Sequence, residues 1–285
     1  MSKAMTRMQS RKLQSAIALF LSGMAALFGL FWLGFILWDV LRHGTAAVNW
    51  ALFTEDPVPP GTEGGGLRNA FIGQLMITGT ATLIGVPMGV LGGTFLAEYA
   101  RGRAISRFIS ILADIMVSVP SIVIGTFVYA VMVKPVKHFS GWAGAVALAM
   151  IMIPVVLRTT EDMLSLVPWR LREAAFALGA PYYKVIVQVV YRQASVGVFT
   201  GILLSIARVA GETAPLLFTS FNNAFFATDM NKPIASLTVT VFQYAMGPFE
   251  EWRAQAWAAS LVITIFILAI TIIGRGIIRW KYGNK

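Results

Sequence analysis

The sequence predicts an all-α protein: a polytopic membrane bundle of six transmembrane helices with both termini on the cytoplasmic side. Three observations predict it. Hydrophobic residues make up 57% of the 285-residue chain, charged residues only 13%, and the mean hydropathy is +0.71. A soluble domain is nearer half apolar and a quarter charged. Apolar runs recur at lengths that cross a hydrocarbon layer of about 30 Å. The basic residues gather in every second connection, which orients the spans.

The chain opens with Lys3, Arg7, Arg11 and Lys12, followed by an apolar run from Ile17 to Trp38. A signal peptide has an apolar core of about 7–15 residues, and this run is longer, so it reads as an uncleaved first span. Arg42 to Asn69 is a polar connection rich in Pro57, Pro59, Pro60, Gly61 and Gly64-Gly65-Gly66. Without a following Lys-Ser/Thr and helix start, these glycines read as an irregular external loop rather than a phosphate cradle. Ala70 to Ala97 is the second span, dense in glycine and with Pro87 inside it, which permits close helix packing and a kink.

Arg101, Arg103 and Arg107 form an inner turn. The third span, Phe108 to Val133, is interrupted by Pro120 and carries Asp114 near its start. Asp114 reads as a carboxylate paired near the membrane surface in preference to a proton relay. Gly141 to Leu157 is a short fourth span, extended if Arg158 snorkels. Next comes a mostly non-spanning insert. Pro168 opens a short helix, Gly179 closes it in the left-handed conformation glycine adopts cheaply, and Pro181 opens a second short helix. Glu173, Ala174 and Ala175 lie in the first arm of this elbow, and the small residues there let a partner's backbone approach.

Ala194 to Phe218 is the fifth span. Ile234 to Met246 is apolar but too short to cross, so it is re-entrant or lies on the surface. Ala254 to Ile273 is the sixth span, and Arg275, Arg279, Lys281 and Lys285 end the chain. With both termini inside, sixteen of the 23 Lys and Arg fall on the inner side and six on the outer, with Arg208 inside a span. The elbow is therefore cytoplasmic. The net charge of +10 is explained by topology and calls for no nucleic acid.

Several chemistries are excluded or left without residues. The chain has no cysteine, so it has neither disulfides nor a Cys-based metal site. No metal site and no catalytic residues are expected. No Gly-x-x-x-x-Gly-Lys-Ser/Thr loop occurs, so ATP-driven work requires another chain to bind the nucleotide.

The fifth span carries the informative charges. Gly197, Gly201 and Ser205 form a small-residue stripe for helix contact, and Arg208 and Glu212 continue roughly the same face. Counted from Ala194 at about 1.5 Å per residue, Arg208 lies roughly 21 Å into the layer. A charge there costs at least about 2.5–3.5 kcal/mol, so this face should line a protein interface or a water-filled path. Pro215 cannot donate to the Gly211 carbonyl, which breaks or bends the helix beside the pair. Two readings follow. Either Arg208 attracts a translocating anion with Glu212 as its restraint or switch, or the two lock helix packing as a buried pair.

Glu173-Ala174-Ala175 followed by Gly179 resembles the EAA loop of ABC-importer permeases. The family's later Ile-x-Leu-Pro is replaced here by Val189, Val190, Tyr191 and Arg192. The block from Ala207 through Arg208, Gly211, Glu212, Thr213 and Pro215 to Thr219 is very similar to the fifth-span signature of the PstA-type phosphate permeases, a subfamily that also lacks the Leu-Pro. Arg172 to Ala175, Thr228-Asp229-Met230, Pro120 to Val123 and Glu251-Trp252 resemble it too, from about residue 70 to 273.

The resemblance implies a type I ABC importer permease. Residues 1–69 would hold the basic start, first span and external loop, and residues 70–285 the permease domain, with its coupling elbow at about 159–192. It also implies a bacterial cytoplasmic (inner) membrane, a homologous PstC-type permease, a PstB-type ATPase dimer and a PstS-type phosphate-binding protein. ATP and Mg would sit on the ATPase and no cofactor on this chain. Glu173, Ala174, Ala175 and Gly179 would lie at the ATPase contact, and Arg208, Glu212 and Thr213 in the translocation path. The competing readings are a sulfate or molybdate permease and a non-transporting anchor or sensor.

Overall fold

The computed structural model describes residues 2–59, 61–62 and 64–282. Pro60 and Lys285, used in the sequence reading, lie outside the described residues. Among the described residues five helices are long and apolar enough to cross a membrane, and a sharply bent pair, taken as one span, makes a sixth. The first runs through Arg11–Ala47, the second Arg68–Tyr99, the fourth Gly141–Ser165, the fifth Tyr182–Ala210 and the sixth Glu250–Gly274. The third is the pair Ala104–Ser118 and Ser121–Val136, which meet at 101°.

That angle is much larger than an interruption of one straight span. Val119 and Pro120 both take extended ψ values, 131° and 135°. Proline pushes the preceding residue out of the helical region and has no N–H to continue the ladder. The chain therefore turns a corner there. Asp114, on the inner arm, pairs with Arg158 of the fourth span at 2.8 Å. Arg158 also binds Glu161 at 2.7 Å, so it is held by carboxylates rather than left to snorkel.

The second and fourth spans make the most extensive helix contact, and glycine is the reason. A Cβ on Gly89 would sit 2.7 Å from Val156 Cβ, and one on Gly93 would sit 2.4 Å from the Leu157 carbonyl oxygen. Only backbone without side chains allows this approach. The fifth span uses the same device against the fourth: a Cβ on Gly197 would lie 2.2 Å from Met163 Sδ, and one on Gly201 2.2 Å from Thr159 Cγ2, so neither position has room for a side chain. Ser205 completes this stripe and is buried. The central core follows, with Ile77, Leu148, Met152, Val209 and Leu216 fully enclosed.

The first span packs on the sixth near its outer end, where Gly44 abuts Leu261. Most of its remaining apolar surface, including Leu19, Phe28 and Phe31, is exposed. The apolar stretch after the fifth span forms the helix Leu237–Ala245. It neither crosses nor lies on the surface, because Leu237, Val239 and Thr240 are buried against the second and sixth spans.

Candidate functional site

The fifth span breaks beside its charges, as the Pro215 argument requires, but the break falls earlier. The helix ends at Ala210 with Gly211 as its cap, and a short helix, Ala214–Leu217, begins with Pro215 already in its first turn. Glu212 and Thr213 lie in the gap. The reason is steric: Gly211 is the residue whose carbonyl Pro215 would have to meet, so the helix must end there.

The gap is held open by three neighbouring elements. The Gln74 amide of the second span donates to the Ala210 carbonyl at 3.2 Å, and its oxygen accepts the Leu237 N–H at 3.1 Å. Thr238 donates its hydroxyl to the Glu212 carbonyl at 3.0 Å. Gly125, on the outer arm of the third span, lets Pro215 come so close that a Cβ there would be 2.6 Å from Pro215 Cα. Backbone groups freed by the break are thus paired again, as buried polar groups must be.

Arg208 does not follow Ser205 into the packed face. Its Nε lies 3.8 Å from Glu212 Oε1, and the Arg208 side chain is 45% exposed against 17% for Glu212. That distance is beyond a hydrogen bond. The pair is therefore a loose one, with the Arg208 side chain nearly half exposed. A cleft of about 680 Å³ between the second, fifth and sixth spans is apolar, and neither Arg208 nor Glu212 lines it.

The elbow is one helix, Trp169–Ala177, followed by Gly179 at φ +78°. The second arm is not separate: Tyr182 begins the fifth span, which runs on through a π-helical stretch, Val185–Val190, to Ala210. The span thus starts earlier than Ala194, because Pro181 caps a helix that has no reason to stop. Glu173, Ala174 and Gly179 face outward. Ala175 faces inward, in one cluster with Leu164, Val185 and Val190. Leu178, not singled out by the sequence, is 88% exposed at the elbow's tip.

The ion pair that is fully buried among the described residues is a different one. Arg172 and Glu98 are 0% and 1% exposed. No spacing rule links residues so far apart, so only an unexplained carboxylate at the inner end of the second span hinted at it.

The family profile described as "Binding-protein-dependent transport system inner membrane component" matches residues 85–281. The chain is 50% identical over 270 residues to the "Phosphate transport system permease protein PstA" of Pasteurella multocida, covering 95% of this chain and 96% of that one. It is 49% identical over 271 residues to the protein of the same name from Yersinia pestis, covering 95% and 92%. Among solved structures, the inward-facing MetNI methionine ABC transporter shares the fold, with a TM-score of 0.62 at 20% identity, over 75% of this chain and 94% of that one.

Proposed function

This chain belongs to the family of binding-protein-dependent transport system inner membrane components, and from that premise we propose that it is the permease subunit of an ATP-driven phosphate importer. It spans the membrane several times and carries the fold of the importer permeases. The names of its relatives favour phosphate over sulfate or molybdate. The finer assignments are that it lies in the cytoplasmic membrane of a bacterium and forms half of the pathway with a PstC-type permease. A PstB-type ATPase dimer then binds the elbow, and a PstS-type protein delivers phosphate from outside. ATP and Mg act on the ATPase, and this chain supplies no catalytic group. The permease unit would cover residues 70–285, with the first span as an addition to it.

The observation that carries the reading is the state of Arg208. Arginine stays charged in proteins, and a membrane-embedded charge needs a partner or water. Arg208 has no hydrogen-bonded carboxylate among the described residues and its side chain is 45% exposed. A second permease across that face would complete a passage with this guanidinium on its wall. An entering phosphate would then displace the loose Glu212 contact, and Thr213, left in the helix gap, would be within the same segment. Hydrolysis on the ATPase would move the elbow through Glu173, Ala174 and Gly179, and rocking of the spans would alternate access.

The test is uptake of labelled phosphate and, separately, sulfate by cells lacking this chain, rescued at matched membrane abundance. Wild type should restore phosphate uptake only, and Arg208→Gln should restore none. Normal transport by Arg208→Gln would remove Arg208 from the path, and rescue of neither anion by wild type would overturn the permease reading.

A further inference from the structure

Arg172 immediately precedes Glu173 on the elbow, yet its side chain points into the protein. Its Nε and Nη2 donate to the two oxygens of Glu98 at 3.2 and 2.5 Å. The remaining donors reach the carbonyls of Val167 at 2.6 Å and Leu164 at 3.1 Å. The Tyr182 hydroxyl donates to the Glu98 carbonyl at 2.8 Å, and its ring stacks on Phe176 of the elbow helix. Four segments therefore converge on one dry ion pair: the inner end of the second span, the end of the fourth, the elbow helix and the first residue of the fifth.

Stability alone is a poor reason for such a pair, since well-packed apolar residues of similar volume generally serve as well. What the fork adds is direction. Two parallel N–H···O bonds resist rotation as well as separation. The backbone is also modified to make the meeting: Glu98 lies in a π-helical stretch, Phe95–Tyr99, and a second, Val185–Val190, flanks the elbow in the fifth span. Such insertions re-aim side chains and concentrate at functional sites.

We propose that Arg172, Glu98 and Tyr182 form a positioning strut that joins the elbow rigidly to the second and fourth spans. A displacement applied at the elbow's outer face, around Leu178, is then delivered to the spans instead of being absorbed by bending at Pro168 and Gly179. The strut touches neither phosphate nor nucleotide. This inference rests on the importer reading given above.

The measurement is phosphate imported per ATP hydrolysed, in proteoliposomes holding the assembled transporter with its binding protein. Wild type is compared with Tyr182→Phe and with the double variant Glu98→Leu/Arg172→Met, which fills the space without charges. The strut predicts assembled complexes that still hydrolyse ATP, with the ratio lowered about five-fold in the double variant and about two-fold in Tyr182→Phe. An unchanged ratio in both overturns it. If the double variant does not accumulate, Tyr182→Phe decides: a lowered ratio supports the strut, and a wild-type ratio reduces the ion pair to a folding element. Wild-type vesicles that neither import phosphate nor hydrolyse ATP would sink the importer reading instead.

Discussion

The Gln74 side chain bonds the Ala210 carbonyl at 3.2 Å, at the last helical residue before the break in the fifth span. The same side chain receives the Leu237 N–H, so one residue of the second span satisfies two backbone groups that the break and the following helix leave without ladder partners. Gln74→Leu keeps the approximate volume and removes both bonds. It should destabilise the purified protein by about 2–3 kcal/mol, read as a lowered thermal midpoint in detergent, and Gln74→Glu should cost at least as much, since it sets a buried carboxylate oxygen against the Ala210 carbonyl. A Leu variant as stable as wild type would show that the break needs no such support.

Glycines of the second span divide by what faces them. A Cβ on Gly73 would lie 2.0 Å from the Ala235 carbonyl oxygen, whereas one on Gly79 would meet nothing within 4 Å. Gly73→Ala should cost about 1–3 kcal/mol through forced backbone movement. Gly79→Ala should be neutral or stabilising by up to about 1 kcal/mol, since it restricts the unfolded chain. Comparing the two melting curves checks both signs at once.

Gly179 has φ +78° with open space around its Cβ position. Any cost of substitution there is backbone strain, about 1–2 kcal/mol for a β-branched residue and less for Asn or Asp, which tolerate this region. Gly179→Val should therefore lower stability more than Gly179→Asp. Gly179→Asp should leave folding largely intact yet, if the elbow docks the ATPase as proposed, reduce co-purification of that subunit, because it adds a charge to the elbow's tip.

Leu178 tests the same contact from another side. It is 88% exposed, so Leu178→Ala should change stability by no more than about 0.5 kcal/mol. If the tip anchors the ATPase, binding should weaken by at least about 1 kcal/mol, or roughly five-fold. A titration of membranes with purified ATPase reads this directly.

The outer segment has its own acid limit. Asp229 accepts the backbone N–H and the side-chain amide of Asn231 at 3.0 and 3.1 Å. These bonds favour the ionised form and hold its carboxyl below the usual aspartate range. A lowered folded value means the turn is fully supported above the ordinary carboxylate pKa and loosens as pH falls through the folded one. Amide exchange at Asn231 and Lys232, measured relative to the intrinsic base-catalysed rate, should thus show constant protection between pH 6 and 8, about two units clear of any carboxylate titration. Asp229→Asn should speed it at every pH.

Much of the fold was legible in the chain itself. Apolar runs set the spans, the distribution of lysine and arginine set their orientation, and Gly197, Gly201 and Ser205 announced a close helix contact that the fourth span supplies. Pro120 and Pro215 marked real breaks. These are local signals, because proline geometry and the apolar length of a span depend on nearby residues alone. The first arm of the elbow and its turn were legible for the same reason, through Pro168 and the left-handed Gly179, whereas the expected second arm is the start of the fifth span.

The sequence by itself determined the succession of apolar spans and the prolines beside which helices break, since hydrophobicity and missing N–H groups act within a few residues. Only the tertiary structure decided which charges close on each other. The spacing of Arg208 and Glu212 left open a path role and a locked packing pair; they sit on either side of a helix end and stay 3.8 Å apart. Arg172 and Glu98, remote in sequence, are the buried pair. Burial of a charge depends on what the other helices bring to it, and no local spacing carries that information.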